Sequence, residues 1–392
     1  MKIDKKSLLN SIVRLHNYVL SQNFRGYEFD DYLASPIVNF LTFNNLLLKR
    51  IAIQVGELMP INLRPILLIK KMESFKARAF FLEGSAILFN ITGERQWKDF
   101  VDTHIRFLIE NYNKNYKGYS WGNHFDFASR GGFFPKFLPT IVWTSKVADA
   151  CYIASKYLPE LKEICYDIIF NCAIFIQESL ERIEDDTGVC FAYAPGLLNP
   201  IHNSNLLGAS TLVKANSLFP HKIDKNLIKS SINWSVVRMN KDGSWFYGDG
   251  DKYKWIDNFH TAYIIDCLSE IWELDNTYFD FLIIEKTVSY WINNFFTKDG
   301  LIKYYHNRVY PIDIQSVAQA IETLSKLSKK FPEAVEILQT VLKFAIKNMQ
   351  NQDGSFIYQI RKYFKNKIPY IHWGQSTMFA ALAHSLKIFD EI

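Results

Sequence analysis

A turn built around glycine returns at nearly constant intervals along the chain and constrains its fold more than any other feature. Each turn leads into an aromatic run, as in residues 242–245 (DGSW) and 353–356 (DGSF). The turn glycines are separated by 70, 55, 57 and 54 residues and are Gly118, Gly188, Gly243, Gly300 and Gly354. A nearly fixed period of this length indicates a repeat architecture in which every repeat is one supersecondary unit.

Helical segments of two kinds lie between these turns. One kind places apolar residues at i, i+3, i+4 and i+7 with Lys and Glu between them, which predicts outer helices that are wet on one side. These segments are residues 96–113, 159–182, 222–240, 278–296 and 332–350. The other kind is poorer in charge and richer in small residues, which is typical of interior helices. These segments are residues 75–90, 140–156, 203–216, 257–272, 313–328 and 372–388.

With a first helix at residues 6–20 and a further one at residues 36–54, the segments give about twelve helices in six hairpins. Six hairpins with alternating outer and inner members close most simply into a ring. We therefore predict an all-α, (α/α)6 toroid formed as a single domain by residues 1–392, with short β-hairpins at residues 244–247 and 355–358 near its mouth. An open stack of hairpins is the alternative, but the last inner segment is as apolar as the others and does not resemble a capping repeat.

Composition excludes several function classes. The 45 Lys and Arg residues against 40 Asp and Glu residues give a formal charge of +5 without a basic block, which argues against a nucleic-acid partner and suits an acidic small substrate. The five cysteines are odd in number and lack CxxC spacing, so neither a disulfide framework nor a zinc site is predicted. No metal motif, phosphate-binding glycine loop or dinucleotide fingerprint occurs, and no metal or cofactor is expected.

The first 20 residues place apolar side chains at helical spacing, interrupted by Arg14 and His16, and contain no small-residue cleavage site. We interpret them as an amphipathic helix rather than a signal peptide. No run of about 18 apolar residues occurs in the chain, so no membrane span is predicted and a cytoplasmic location is expected. The sequence leaves the oligomeric state open.

Polar residues stand at the start of most predicted inner helices. They are found in residues 144–145 (TS), 203–205 (NSN), 257–261 (DNFHT), 313–316 (DIQS) and 372–376 (HWGQS). If the inner helices run parallel, these polar groups meet at one end of the barrel. Unsatisfied N–H groups and positive dipole ends converge at the same place and favour an anionic ligand group.

Asp257 and His260 form the first candidate catalytic constellation, with Asp249 and Asp251 in the preceding loop. They are three residues apart at a helix start, so both side chains can face the barrel mouth. A carboxylate beside an imidazole is a common arrangement of a general base that is held in one tautomer. The alternative is that Asp257 is an N-cap and His260 a first-turn residue satisfied by its neighbours.

Tyr304, Tyr305 and Arg308 lead into Asp313 and form a second candidate constellation, which also contains His306. Beside a sugar carboxylate, arginine would hold the acid through two hydrogen bonds while tyrosine or histidine moves a proton. In the alternative interpretation the tyrosines only pack, and Arg308 pairs with Asp313.

A long loop over residues 120–137 mixes aromatic residues, charges and two adjacent glycines. Its candidate substrate-binding residues are Trp121, His124, Asp126 and Arg130. Long loops inside compact domains are usually functional or disordered, so this loop is predicted to cover a ligand. Packing of the loop on itself is the alternative.

Further candidates for substrate binding lie at the predicted rim of the barrel. They are His202, Asn205, Trp245, Gln315, Trp373 and Gln375. Amide side chains would bind sugar hydroxyls, and Trp373 would stack on a sugar face. Helix capping and ordinary aromatic packing are the alternatives for these residues.

Several short segments resemble a family of bacterial and archaeal proteins encoded in surface-polysaccharide gene clusters. The resemblance extends from residue 27 to the C-terminus and is carried by residues 62–65 (NLRP), 121–126 (WGNHFD), 257–261 (DNFHT), 304–313 (YYHNRVYPID) and 373–375 (WGQ). It implies an (α/α) toroid similar in plan to glycan epimerases, unsaturated glucuronyl hydrolases and polysaccharide lyases. No motif of those enzymes matches position by position, so the resemblance carries over no catalytic residue.

A second resemblance is to the glutamine-tryptophan repeats of terpene cyclases and prenyltransferases. It is carried by residues 240–245 (NKDGSW) and 351–356 (NQDGSF). Those enzymes need an aspartate-rich acid motif or a zinc-bound thiolate. Residues 249–252 (DGDK) do not supply the first, and the cysteine spacing argues against the second.

These observations predict an enzyme of surface-polysaccharide metabolism that acts on a sugar, a nucleotide sugar or an acidic oligosaccharide. Hydrolysis would use two opposed carboxylates, Asp249 or Asp251 with Asp257 or Asp313. Epimerisation or elimination would use the His260 imidazole with a tyrosine from the second constellation. A glycan-binding or scaffold protein without turnover and an isoprenoid-handling enzyme are the alternatives.

Overall fold

Fourteen α-helices lie within residues 3–391, the part of the chain that the computed structural model describes. In chain order they are α1 (Lys5–Ser21), α2 (Pro36–Leu41), α3 (Leu46–Leu58), α4 (Phe75–Thr92), α5 (Arg95–Glu110), α6 (Ile141–Tyr157), α7 (Lys162–Ser179), α8 (His202–Leu218), α9 (Lys225–Val236), α10 (Asn258–Leu274), α11 (Leu282–Phe295), α12 (Ile314–Leu327), α13 (Glu333–Met349) and α14 (Ser376–Glu391). A single π-helical turn, Ile371–Gln375, leads into α14.

Six of these helices form a closed inner ring. Helices α4, α6, α8, α10, α12 and α14 each pack against the next, and α14 packs against α4. Helices α5, α7, α9, α11 and α13 each pack on the inner helix that precedes them, while α1 packs on α14. The predicted (α/α)6 toroid is therefore confirmed, and the open stack is excluded.

Helix α1 joins the two ends of the chain by serving as the outer helix of the last hairpin. Ser11 Oγ donates a hydrogen bond to Gln350 Oε1 (2.8 Å), and Arg14 Nη2 donates one to the carbonyl of Asn351 (2.7 Å). Because α1 takes this place, the predicted helix at residues 36–54 is not needed in the ring.

The glycine period has a direct structural cause. All five turn glycines have positive φ angles, and each turn lies against the outer helix of the following hairpin. A Cβ atom on Gly118 would lie 2.1 Å from the carbonyl oxygen of Asn171 in α7, and one on Gly354 would lie 2.2 Å from that of Arg14 in α1. Only glycine permits both the left-handed backbone and this close approach. The last turn thus closes the ring through the same contact that links the other hairpins.

The two layers differ in burial as the sequence predicts. Helix α8 is buried continuously from His202 to Ala215, whereas α13 buries one residue in three or four. A helix that is enclosed on all sides has no face in water, which explains its small and apolar residues, and its charged residues are buried in ion pairs, as Lys214 is with Asp149. Within residues 3–391, no helix has the length and hydropathy that a bilayer crossing requires.

Residues 36–58 differ from the prediction. The expected single helix is interrupted at Phe43 and Asn44, which both have positive φ, so α2 and α3 are separate and lie over one end of the ring. Strand positions also differ. The strands are β1 (Phe127–Ser129), β2 (Gly132–Phe134), β3 (Arg182–Asp185), β4 (Gly188–Phe191), β5 (Ile312–Asp313), β6 (Gln359–Ile360) and β7 (Lys365–Asn366).

Antiparallel pairing joins β1 to β2, β3 to β4, and β5, β6 and β7 in that order. The predicted short hairpins occur, but at β1–β2, β3–β4 and β6–β7: residues 244–247 form no bridge, and in residues 355–358 Phe356 forms a single bridge with Gln350. The Tyr247 N–H donates a hydrogen bond to the carbonyl of Trp255 (2.8 Å), and its carbonyl accepts one from the His202 N–H (3.1 Å). The segments are extended connections whose side chains pack into the ring.

Candidate active site

The amino-terminal ends of the inner helices surround a cavity of about 380 Å³. Lys76 comes from α4, Trp143 from α6, Asn203 from α8 and His260 from α10, while Trp373 lies in the turn before α14. Helix α3 and the β1–β2 hairpin cover the cavity. Side chains that are far apart in sequence therefore share one pocket, and its size falls at the lower end of the roughly 300–1,000 Å³ typical of ligand sites.

Eleven of the thirty residues that line the cavity are aromatic. They are Phe29, Phe127, Phe134, Trp143, Tyr193, Tyr247, Tyr253, Trp255, Phe259, Tyr263 and Trp373. Tyr247 and Trp255 are stacked, with ring centroids 4.4 Å apart, and Trp143 meets Trp373 edge to face at 5.4 Å. Flat aromatic faces of this kind suit the apolar faces of sugar rings.

Asp257 and His260 are in direct contact at the start of α10. Asp257 Oδ1 accepts a hydrogen bond from the His260 N–H (3.0 Å), and its Oδ2 lies 2.7 Å from His260 Nδ1 and 2.9 Å from Trp255 Nε1. Asp257 is therefore both the N-cap and the partner of the imidazole. Because Nδ1 donates to the carboxylate in this arrangement, Nε2 is the nitrogen that can accept a proton.

Asp30 is a cavity-lining carboxylate that the sequence did not point to. It is 6% exposed, and its Oδ1 has no hydrogen-bond partner among the described residues. Burial raises the pKa of Asp30 to about 6; Lys76 opposes this shift and Asp31 adds to it. A buried carboxylate oxygen without a hydrogen-bond partner is costly, and a perturbed pKa in a cleft is typical of functional sites.

The Arg64 guanidinium fixes the loop that carries Asp30. Arg64 is fully buried, and its Nε donates to Asp31 Oδ1 (2.5 Å) while Nη2 donates to the carbonyls of Glu28 (2.5 Å) and Phe29 (3.0 Å). A rigid guanidinium that is bonded to the residues on both sides leaves the Asp30 backbone little freedom. Residues 62–65 thus position the loop, although Arg64 itself does not line the cavity.

Glu57 of α3 is a second cavity carboxylate that the sequence analysis missed. Burial raises the pKa of Glu57 to about 8, and the negative charges of Asp30 and Asp313 add to the shift. The two cavity carboxyl groups therefore titrate in different ranges. Pairs of this kind, with pKa values separated by their surroundings, are typical of acid and base partners in catalysis.

Lys76 lies beside the acidic residues Glu28 and Asp30. Its Nζ is 2.6 Å from Glu28 Oε2 and sits over the rings of Trp143 (4.7 Å) and Trp373 (4.8 Å). Burial raises the pKa of Glu28 to about 8, against the attraction of the Lys76 ammonium. Lys76 is thus held in place by one carboxylate and two aromatic faces, with Asp30 close enough to sense its charge.

Three of the residues predicted from the sequence line the cavity: Arg130, His260 and Trp373. Asp257 stands directly behind His260, and Tyr304 packs edge-on against the cavity residue Phe259 (5.7 Å). His124 lies one layer further back, edge to face with His372 (5.1 Å). Burial lowers the pKa of His124 to about 3.

The structure places the remaining predicted residues outside the cavity lining, where they support the ring. Asp313 caps α12 through the Gln315 N–H (2.9 Å) and accepts a hydrogen bond from Gln359 (2.5 Å); burial raises its pKa to about 6. Asp249 is an exposed partner of Arg238 (3.2 Å). Gln315 itself is buried in the first turn of α12.

Buried tryptophans and amides bind the loops to the helices. The indole N–H of Trp121 donates to the Leu108 carbonyl (3.1 Å), and that of Trp245 donates to Thr287 Oγ1 (3.0 Å). Asn205 accepts from the Phe191 N–H (3.0 Å), and Gln375 exchanges two hydrogen bonds with the Phe356 backbone (2.7 and 2.8 Å). His202 packs between Trp234 and Trp245.

Three candidates remain at the surface of their loops. Asp126 accepts a hydrogen bond from the Lys136 N–H (2.8 Å), which fixes the β1–β2 loop. Arg308 stacks on Tyr305 with its guanidinium carbon 4.4 Å from the ring centroid. Packing therefore describes Tyr305 and Arg308, and packing of the loop on itself describes Asp126; the alternative pair of Arg308 with Asp313 is not among the ion pairs of the described residues.

One group of three potential metal ligands occurs among the described residues, but it lies outside the mouth cavity. Glu83, Glu322 and His384 place their ligand atoms within 4.8 Å of one another. Lys146 Nζ is 2.6 Å from Glu83 Oε2 and 3.6 Å from Glu322 Oε1, so an ammonium group already balances these carboxylates.

No protein-family model matches the chain, and no curated protein matches it significantly. Several solved structures resemble it in fold. Cellobiose 2-epimerase from Bacillus thermoamylovorans aligns with a TM-score of 0.61 at 9% identity, over 82% of this chain and 88% of its own. A possible member of the GH105 family from Salmonella enterica aligns with a TM-score of 0.63 at 12% identity, over 99% and 95%. Unsaturated glucuronyl hydrolase from Streptococcus agalactiae aligns with a TM-score of 0.59 at 11% identity, over 98% and 92%. At these identities the likeness establishes a shared toroid fold.

Proposed function

We propose that this protein is a glycan-processing enzyme that acts on a sugar or uronate substrate by general acid–base catalysis in the mouth cavity. The observation that carries the proposal is a pair of carboxyl groups with separated pKa values in an aromatic cavity, Asp30 near 6 and Glu57 near 8. Aromatic walls bind the sugar faces, and the two carboxyl groups supply the chemistry.

Hydrolysis of a glycosidic bond is the reaction that this pair supports best. At neutral pH, Glu57 is mostly protonated and can donate a proton to the leaving oxygen, while Asp30 is mostly ionised and can activate a water molecule. Arg50 and Arg130 also line the cavity and would bind an acidic substituent of the sugar. An acidic oligosaccharide or a nucleotide sugar is therefore the favoured substrate class.

Epimerisation is the second candidate reaction, and the Asp257–His260 pair favours it. A carboxylate that fixes Nδ1 leaves Nε2 ready to remove a proton next to a sugar carbonyl. The names of the similar structures include both a sugar epimerase and a glucuronyl hydrolase, so the shared fold supports either chemistry and does not select one.

A mass-spectrometric screen with neutral disaccharides, uronate-containing oligosaccharides and nucleotide sugars tests the proposal. Hydrolysis releases smaller products and should be lost in Asp30→Asn and Glu57→Gln. Epimerisation leaves the mass unchanged in water, incorporates solvent deuterium in D2O and should be lost in His260→Ala. The matched control is Asp249→Asn, because Asp249 is an exposed carboxylate outside the cavity lining.

The outcomes separate the alternatives. Full activity in all three cavity variants would exclude the cavity as the active site. Binding of a glycan without turnover, with affinity reduced by the same variants, would favour the glycan-binding alternative. An isoprenoid substrate is disfavoured because Asp30, Glu57, Lys76 and two arginines line or adjoin the cavity.

A further inference from the structure

Residues 36–72, which we call the apolar cover, expose an unusual number of large apolar side chains. They are Ile37, Phe40, Leu41, Phe43, Leu46, Leu47, Leu48, Ile51, Val55, Leu58, Met59, Ile61, Ile66, Leu68 and Met72. Phe40 and Phe43 at the α2–α3 turn are each 75% exposed. Single exposed apolar residues are ordinary, but a contiguous exposed segment of this kind marks an interaction surface.

Helix α3 of the apolar cover turns a charged residue toward the cavity and apolar residues toward the outside, which is the reverse of an ordinary surface helix. Ile53 and Glu57 face the cavity, whereas Leu47, Ile51 and Val55 follow one another at helical spacing on the exposed side. A surface helix normally turns charged residues to water. The outer face of α3 is therefore built to contact something other than water.

A basic rim adjoins the apolar cover. The loop between β6 and β7 and its flank, residues 361–367 (RKYFKNK), contain four cations and no acid. Asn366 Nδ2 donates to the carbonyl of Met59 (3.0 Å), which places this hairpin against the end of α3. At the tip of the hairpin, Tyr363 is 86% exposed and Phe364 is 40% exposed.

The charge of the whole surface is one-sided. Of the five Lys and Arg residues in residues 36–72, Lys49 and Arg64 are buried and Arg50 lines the cavity; the segment's one acid, Glu57, also lines the cavity. Lys70 and Lys71 are exposed at the end of the segment. Apolar side chains, interfacial aromatics and surrounding cations are the combination that binds anionic lipid surfaces.

We propose that the apolar cover and the basic rim dock onto the surface of an anionic lipid bilayer. Phe40, Phe43 and the outer residues of α3 enter the boundary between headgroups and acyl chains, and the cations of residues 361–367 contact the lipid headgroups. The protein lies on the membrane without crossing it. Because α3 also covers the cavity, docking brings the covered mouth of the toroid to the membrane.

A second copy of the chain is the other occupant that the apolar surface would fit. In a two-fold symmetric dimer the same patch meets itself, so the interface would carry the cations of both copies with no exposed acid of residues 36–72 or 361–367 to pair with them. Like charges brought together in this way oppose association. The one-sided charge therefore favours lipid over self-association.

Co-sedimentation with vesicles tests the proposal. The full chain should sediment with vesicles of phosphatidylcholine and phosphatidylglycerol, bind weakly to phosphatidylcholine alone, and be released as the salt concentration rises. Phe40→Ser with Phe43→Ser should weaken binding at least about tenfold, because buried apolar area is lost. Lys362→Glu with Lys365→Glu should weaken binding by about tenfold or more, and only on the anionic vesicles.

Matched controls keep the result specific. Leu282→Ser removes an exposed leucine (46% exposed) from α11, and Lys229→Glu reverses an exposed charge on α9; both should bind like the wild type. Circular dichroism of each variant confirms folding. No sedimentation with either vesicle type, or equal binding by all variants, would overturn the proposal. A dimer in analytical ultracentrifugation that Phe40→Ser with Phe43→Ser dissociates would overturn it in favour of a second copy.

Discussion

Buried carboxylates occur both at the mouth of the toroid and in its interior, and the two sets differ in their partners. In the interior, burial pushes the pKa of Glu322 upward, but the ammonium groups of Lys146 and Lys326 outweigh it and hold the pKa well below its usual range. At the mouth, burial dominates for Asp30 and Glu57, and their pKa values are raised. Two lysines thus keep Glu322 ionised in the interior, whereas burial outweighs the nearby cations for Asp30 and Glu57 at the mouth.

The largest expected difference between the mouth and interior carboxylates is in catalysis, because removing a mouth carboxylate should abolish most of the activity. Asp30→Asn and Glu57→Gln should each lower kcat/KM by about 10²–10⁴-fold, the usual contribution of a general acid or base. The measurement is steady-state kinetics on the sugar found by the mass-spectrometric screen. Asp249→Asn, at the surface, should retain wild-type kinetics, and an equal loss in that control would contradict the assignment.

Loss of stability should follow when an interior pair is broken. Lys146 is buried between Glu83 and Glu322, so Lys146→Met leaves Glu83 without its lysine partner, whereas Glu322 keeps Lys326 (2.8 Å). We expect a decrease of about 3–5 kcal/mol in the free energy of unfolding, measured by urea denaturation. The matched variant Lys229→Met, on the exposed face of α9, should change it by less than about 0.5 kcal/mol. A small effect of Lys146→Met would show that the interior pairs are dispensable.

A gain of stability is expected when a mouth acid is neutralised. The pKa of Asp30 is about 6 in the folded protein against an ordinary value of 3.8, so its ionisation costs the folded state free energy as pH rises from about 4 to about 6. Asp30→Asn should raise the unfolding free energy by about 1–3 kcal/mol at pH 7 and leave it nearly unchanged below pH 4. Destabilisation at pH 7 would mean that the Asp30 carboxylate is satisfied in the native state.

The pH profile of activity is a subtler consequence. For hydrolysis, kcat/KM should rise as pH passes about 6, where Asp30 ionises, and fall as pH passes about 8, where Glu57 loses its proton. Asp313→Asn is the control for the acidic limb. Burial also raises the pKa of Asp313 to about 6, but this carboxylate is bonded to Gln359 outside the cavity lining. If the limb disappears in that variant, Asp313 rather than Asp30 governs it.

The ring could be predicted from the sequence because its rules are local and repeated. Each turn glycine approaches the next outer helix in the same way, so the constraint appears in the sequence as a period. The contrast between outer and inner helices is likewise set by the burial of each helix. The closure by α1 was not predicted, because it depends on contacts between residues far apart in sequence, such as Ser11 with Gln350.

The candidate site was harder to predict because its two carboxylic acids, Asp30 and Glu57, lie outside the repeated hairpins. Trp121, Trp245 and Gln375 recur at equivalent turns, and the structure uses them to bind loops to helices. Asp30 and Glu57 lie in residues 26–58, which have no counterpart in other hairpins and are placed by long-range contacts such as the Arg64 clamp. The signal in the sequence that could have indicated this site is the run of acids Glu28, Asp30 and Asp31 among aromatic residues.

Asp257 shows why the two interpretations of a helix start need not compete. Its carboxylate caps α10 with one oxygen and holds the His260 ring with the other. Sequence spacing alone predicts both the helix cap and the contact with the imidazole, and it does not show which of them is important for function. Only the position of His260 at the cavity wall adds the chemical role.

A crystal structure of Glu57→Gln soaked with the sugar identified by the screen tests the central claim most directly. The account predicts a sugar ring against the Trp143 and Trp373 faces, with its reacting oxygen within hydrogen-bond distance of residue 57 and a water molecule or carbon within reach of Asp30. A sugar bound elsewhere on the toroid, or bound in the cavity without contact to either residue, would contradict it.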